Sequence, residues 1–189
     1  MTAMCDVAFL LLTFFILTAT AKVPEVMPVD TPQSTVQTKL PEKDLATLTV
    51  GNGKVFFDVK GKDVRVRTLE LMGQKYGLTF SEDDQNKFAI MESFGVPVQN
   101  LKQILDMHPS ERRNVKQPGI PKDSLDNQLA DWVQNARIAN IELHDKELEL
   151  AIKGDAKEEY PVIKKVMDIL QDQKINSFSL VTGLRGKEK

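Results

Sequence analysis

The chain has 189 residues, 41 % of them hydrophobic and 28 % charged, with a formal net charge of −2. That length suits one modest domain with appendages, and the charge balance excludes a nucleic-acid binder, which needs a basic surface. A single cysteine, Cys5, excludes an intramolecular disulfide and a cysteine-based metal cluster.

The first element is residues 1–21, MTAMCDVAFLLLTFFILTATA. No charged residue lies between Val7 and Ala21, and Asp6 stands directly before that run. A spanning helix needs about 20 apolar residues, which Thr2 to Ala21 supply if Asp6 is tolerated. Three other readings compete. Ala19-Thr20-Ala21 fits a signal-peptide cleavage site, but no Lys or Arg precedes the apolar run and Asp6 sits where positive charge belongs. A buried helix of a soluble core is at odds with so long an uncharged run near the terminus. A span whose carboxylate is incidental is the third. The helical wheel favours a functional span. At 100° per residue, Thr2, Asp6, Thr13 and Thr20 fall within a sector of roughly 40°, with Thr18 on the opposite side. A lipid-facing stripe has no use for these groups, whereas one facing a protein pore does. Carboxylates cost roughly 2.5–3.5 kcal/mol at the centre of a membrane helix and mark ion or proton paths. Only Met1 precedes the segment, so the positive-inside rule gives no orientation. A cytoplasmic tail upstream of Met1 is expected.

Residues 22–44 hold Pro24, Pro28, Pro32 and Pro41 with no apolar period. They read as an extended linker that reaches roughly 70 Å at about 3.1 Å per residue.

From Leu45 the pattern turns globular. LATLTV and VFFDV are strands joined by a hairpin at Gly51-Asn52-Gly53-Lys54. DVRVRTLELMGQKYG is a helix ending near Gly73 or Gly77. SEDDQNKFAIMESFG is a helix capped by Ser81 and stopped by Gly95. VQNLKQILDM is a short helix closed by Pro109, and residues 110–122 form a loop. DSLDNQLADWVQNARIAN is a helix with Leu125, Leu129, Trp132, Val133 and Ala136 on one face. KELELAIKG alternates as a half-buried strand. Residues 155–173 form a helix with Tyr160, Ile163, Val166, Met167 and Leu170 toward the core and Pro161 in its first turn. INSFSLVTG is the last strand, and residues 184–189 form a loose basic tail. The fold class is α+β, with a domain over residues 45–183.

Chemistry is sparse. His108 and His144 lie in different elements with no second ligand at helical spacing, so they read as surface loop histidines rather than a metal site. No G-x-S-x-G, H-E-x-x-H, P-loop or G-x-G-x-x-G occurs. Arg112, Arg113, Lys116 and Lys122 form a small, solvated basic loop. These residues point to no enzyme, no cofactor and no metal.

Two stretches together resemble the ExbD/TolR family of energy-transducing inner-membrane proteins. The family's spanning helix is introduced by a Thr-Pro-x-x-Asp pattern, and here Thr2 and Asp6 match while Ala3 replaces the proline. Near the other end, Tyr160, Lys165, Val166, Met167, Asp168 and Leu170 are similar to the family's last helix, with a strand following. The resemblance covers roughly residues 2–60 and 145–183, and the stretch of about 65–140 reads as a helical insertion to which no function is carried over. The resemblance implies a single-pass protein of the bacterial inner membrane, in contact with membrane lipids, with its domain in the periplasm. It implies a homodimer enclosed by an ExbB/TolQ-like channel oligomer, a TonB/TolA-like protein that the complex drives, and contact with the cell wall. It makes Asp6 the proton-coupling carboxylate, with Thr2, Thr13 and Thr20 as a pore-facing stripe. Back-bonding of the threonine hydroxyls to their own i−4 carbonyls is the plainer alternative. A different class of function stays open beside this one: a periplasmic binding or structural module from which residues 1–21 are cleaved.

Overall fold

The computed structural model describes residues 2–18, 29–31, 33–34, 40–41, 43–91, 93–123, 126–181 and 183–184. The first element is helix α1 (Thr2–Thr18). Strand β1 (Gln33–Ser34) follows, then the hairpin of β2 (Leu45–Gly51) and β3 (Lys54–Val59). Asn52 and Gly53 turn this hairpin with φ of 51° and 72°, the left-handed pair that a tight two-residue turn demands. Helix α2 (Lys62–Tyr76) ends where Gly77 donates its N–H to the Gly73 carbonyl.

Helix α3 (Glu82–Ile90) opens on a capping box in which Ser81 and Asp84 satisfy each other's backbone N–H. It does not run on to Gly95 as the sequence suggests. It stops at Ile90, and Ser93–Phe94 form strand β4, paired antiparallel with β3. Gly95 instead makes room for a ring, since a Cβ there would lie 2.5 Å from Phe56. Helix α4 (Val98–Asp106) is followed by α5 (Pro109–Asn114), which corrects the expected loop. Proline that ends one helix also fits the first turn of the next, and His108 and Glu111 form a capping box around it. Helix α6 (Gln128–His144) begins later than expected, at the Asn127 cap, and runs past Asn140 to His144. Leu125 lies outside the described residues.

Strand β5 (Glu149–Gly154) leads through helix α7 (Tyr160–Asp172) to β6 (Ser179–Val181) and β7 (Gly183–Leu184). Tyr160 is exposed rather than packed in the core. It occupies the first turn of α7, ahead of the buried stripe of Val166, Ile169 and Leu170.

The main sheet has the order β4-β3-β2-β5-β6. β2 pairs antiparallel with β3 and parallel with β5, and β5 pairs parallel with β6. Ala46, Leu48 and Val50 of β2 join Val55, Phe57 and Val59 of β3 and Leu150 and Ile152 of β5 in one buried cluster with the helices. The fold is α+β, and residues 65–140 contribute to that core through Leu69, Met72, Leu101 and Trp132. Trp132 is fully buried, with the rings of Phe57, Phe88 and Phe94 centred 6.4, 5.9 and 4.7 Å away.

The stretch read as a linker is partly docked. Ala156 donates its N–H to the Asp30 carbonyl at 2.6 Å, and β1 pairs parallel with β7. An extended segment has no hydrogen bonds of its own, so it can lend its edge to another strand. Leu184, expected in the loose tail, is part of that pairing, while residues 185–189 lie outside the described residues.

Candidate functional site

α1 is apolar on every side. Met4, Val7, Phe9, Leu10, Leu11, Leu12, Phe14, Phe15, Ile16 and Leu17 are all exposed. Burying one such side chain is worth roughly 1.5–3 kcal/mol, so this helix leaves on the order of 15 kcal/mol of apolar burial unmet. A helix that is apolar all round belongs in a protein interior or a membrane. Its 17 residues rise about 25 Å against a hydrocarbon thickness of about 30 Å. No helix among the described residues is long and apolar enough to cross a membrane. Of the expected span over residues 1–21, a helix is described over Thr2–Thr18, and residues 19–21 lie outside the described residues.

Asp6 lies in the second turn of α1 with its side chain exposed. Thr13 is seven residues on, roughly 20° away around the axis. The Thr13 hydroxyl donates back to the Phe9 carbonyl at 2.7 Å and approaches the Leu10 carbonyl at 3.0 Å. Its proton is thus used within the helix, as the plainer alternative has it, and its lone pairs face outward. Thr18 does the same with Phe14 at 2.7 Å. Thr2 is within α1, and Thr20 lies outside the described residues.

In the domain, two residues of the expected basic loop, Arg112 and Lys122, are spent on structure. Arg112 donates to the carbonyls of Leu105 and Met107 at 2.6 and 3.0 Å, closing α4. Lys122 donates to the Gly53 carbonyl at 2.6 Å. No group of three His, Cys, Asp or Glu among the described residues is arranged to hold a metal ion. The groove between the end of α2 and the start of α3 is lined by Glu70, Gln74, Leu78, Thr79, Phe80 and Gln85 together with two glycines.

One cluster escapes sequence reasoning. His144, expected in a surface loop, is the last residue of α6 and joins two carboxylates. Nδ1 lies 2.5 Å from Asp44 Oδ1, and Nε2 lies 2.9 Å from Asp63 Oδ2. The hydrogen bonds to Asp44 and Asp63 hold its pKa above the ordinary 6.5. The bond from His144 holds the Asp63 carboxyl below the ordinary 3.8. The partners stand 100 and 81 residues away in sequence, so no local pattern announces them.

The family whose sequence model matches this chain, over residues 1–184, is described as Biopolymer transport protein ExbD/TolR. The chain belongs to the ExbD/TolR family. Membership brings a role in energy transduction for biopolymer transport, carried out by accessory proteins rather than enzymes. The family is associated with the inner membrane and with ExbB/TolQ and TonB/TolA partners. No curated protein and no solved structure matches this ExbD/TolR chain.

Proposed function

We propose that this chain is the proton-coupling subunit of an inner-membrane complex that energises outer-membrane transport or envelope maintenance. In this reading the span runs from α1 through residues 19–21, and the domain stands in the periplasm. An ExbB/TolQ-like channel oligomer encloses a pair of such helices, and a TonB/TolA-like protein receives the work. The supporting observation is Asp6 on an exposed, otherwise mainly apolar helix in a member of this family.

Asp6 carries the proton. Protonated, the side chain faces the pore wall. Deprotonated, it needs a polar partner, so each transfer biases the position of the helix. The membrane potential contributes about 2.3 kcal/mol per charge per 100 mV. Thr13, which accepts but no longer donates, offers a lone pair on the same stripe.

The test is Asp6→Asn in the assembled complex. Proton-coupled work is lost while the variant still co-purifies with its channel, and normal transport by that variant overturns the reading. Alkaline carbonate extraction separates the other class of function. The intact chain stays in the membrane pellet, whereas a free mature chain beginning near Lys22 replaces the transducer with a periplasmic module.

A further inference from the structure

His144 sits at a junction of three elements. Asp44 immediately precedes β2, where the linker joins the domain, and its backbone is left-handed with φ of 55°, a region that residues with a Cβ seldom adopt. Its carbonyl accepts the Glu149 N–H at 2.8 Å, which fastens it to β5. Asp63 is in the first turn of α2, and His144 closes the last turn of α6. A neutral imidazole has one N–H, so it can donate to only one carboxylate. Donating to both requires the imidazolium. The positive ring also suits the negative end of α6, and the Asp63 carboxylate suits the positive end of α2.

We propose that Asp44, Asp63 and His144 form a pH-sensitive clasp that, when closed by the imidazolium, ties the root of the domain to the ends of α2 and α6. Asp44 faces the ring from the start of β2 and Asp63 faces it from α2. On α6 itself, the nearby Glu142 carboxylate is taken up by Arg67 of α2 at 2.7 Å. Lys43, Lys62, Asp145, Lys146 and Glu147 flank the three members in sequence, and none of them bonds the ring.

Loss of the ring proton sets a carboxylate against a lone pair on one side. The Asp63 side chain is 55 % exposed and Asp44 19 %, so the Asp63 end lets go first and takes water instead. A raised imidazole pKa gives a contribution that is fully present below pH 6.5 and is lost as pH rises through the raised value. A lowered Asp63 pKa gives one present above pH 3.8 and lost as pH falls through the lowered value. The clasp is closed between these limits. The clasp does not depend on the proton-coupling role of Asp6. If that role holds, force arriving along the linker passes to α2 and α6 as well as to β2 whenever the clasp is closed.

The experiment uses the full chain in detergent micelles. NMR titration of the His144 ring gives a midpoint above 6.5, falling toward it in Asp63→Asn, which keeps the imidazole and Asp44 in place. Hydrogen exchange at the Arg65 amide, which donates to the Gly61 carbonyl at the start of α2 beside Asp63, corrected for intrinsic rate, loses protection several-fold between pH 5.5 and pH 8 in the native chain, and His144→Gln flattens that dependence. A His144 midpoint at or below 6.5, or the same pH profile in both variants as in the native chain, overturns the clasp.

Discussion

The phenylalanines of α1 and those of the domain are chemically identical and physically opposite. Phe9, Phe14 and Phe15 are 64, 63 and 60 % exposed, while Phe57, Phe88 and Phe94 are 1, 3 and 4 % exposed. The domain supplies its rings with a tryptophan and a sheet face, whereas in α1 the rings of Phe14 and Phe15 meet edge to face and stay exposed. The difference teaches where each region's stability comes from. The domain's cohesion is internal, whereas the apolar surface of α1 is left uncovered among the described residues.

The sharpest way to break this contrast is to remove matched rings. Trp132→Ala deletes the hub of the buried aromatic cluster and should cost about 3–5 kcal/mol, read as a lower urea midpoint for the full chain in detergent. Phe14→Ala should leave that midpoint unchanged. Destabilisation of the domain by the α1 variant would show that the two regions share a core. Gly95→Ala sharpens the same point on a smaller scale. Its new methyl must displace the buried Phe56 ring, and overpacking of this kind costs about 1–3 kcal/mol. A neutral result in thermal unfolding would mean that the ring moves freely. Smallest is Ser81→Ala, which removes the cap of α3 and should cost about 1 kcal/mol in the same melt.

Much of the domain is legible in sequence because its signals are local. Asn52-Gly53 marks the hairpin, Ser81 with Asp84 marks a helix start, and Leu150 and Ile152 mark a strand, although Ala151 between them is buried too, so β5 is not the half-buried strand that the alternation suggests. Signals with two meanings mislead. Pro109 closes α4 and also opens α5. Two-residue strands such as β1, β4 and β7 have no periodicity to read, and they exist only because a neighbour offers its edge. For the candidate site, Asp6 is legible because a carboxylate beside an apolar run is costly. The fate of the Thr13 hydroxyl is not, since a donor on a helix chooses between its own carbonyls and an outside partner. The His144 cluster is invisible for the same reason as β1–β7: its members meet only after the chain folds.

The pairing of β2 with β5 also governs how the domain comes into being. The β2–β3 hairpin closes locally, but Leu45 waits for Glu149, about a hundred residues later, and contacts so distant in sequence slow folding because a long loop must close first. Until β5 arrives, one side of β2 is an open ladder edge, apolar and able to pair with another chain. A nascent chain cannot pair β2 on both sides until Gly154 is available, so most of the domain must be delivered before its centre can lock. Truncation or stalling between α2 and β5 would leave a sticky half-sheet rather than a smaller folded unit.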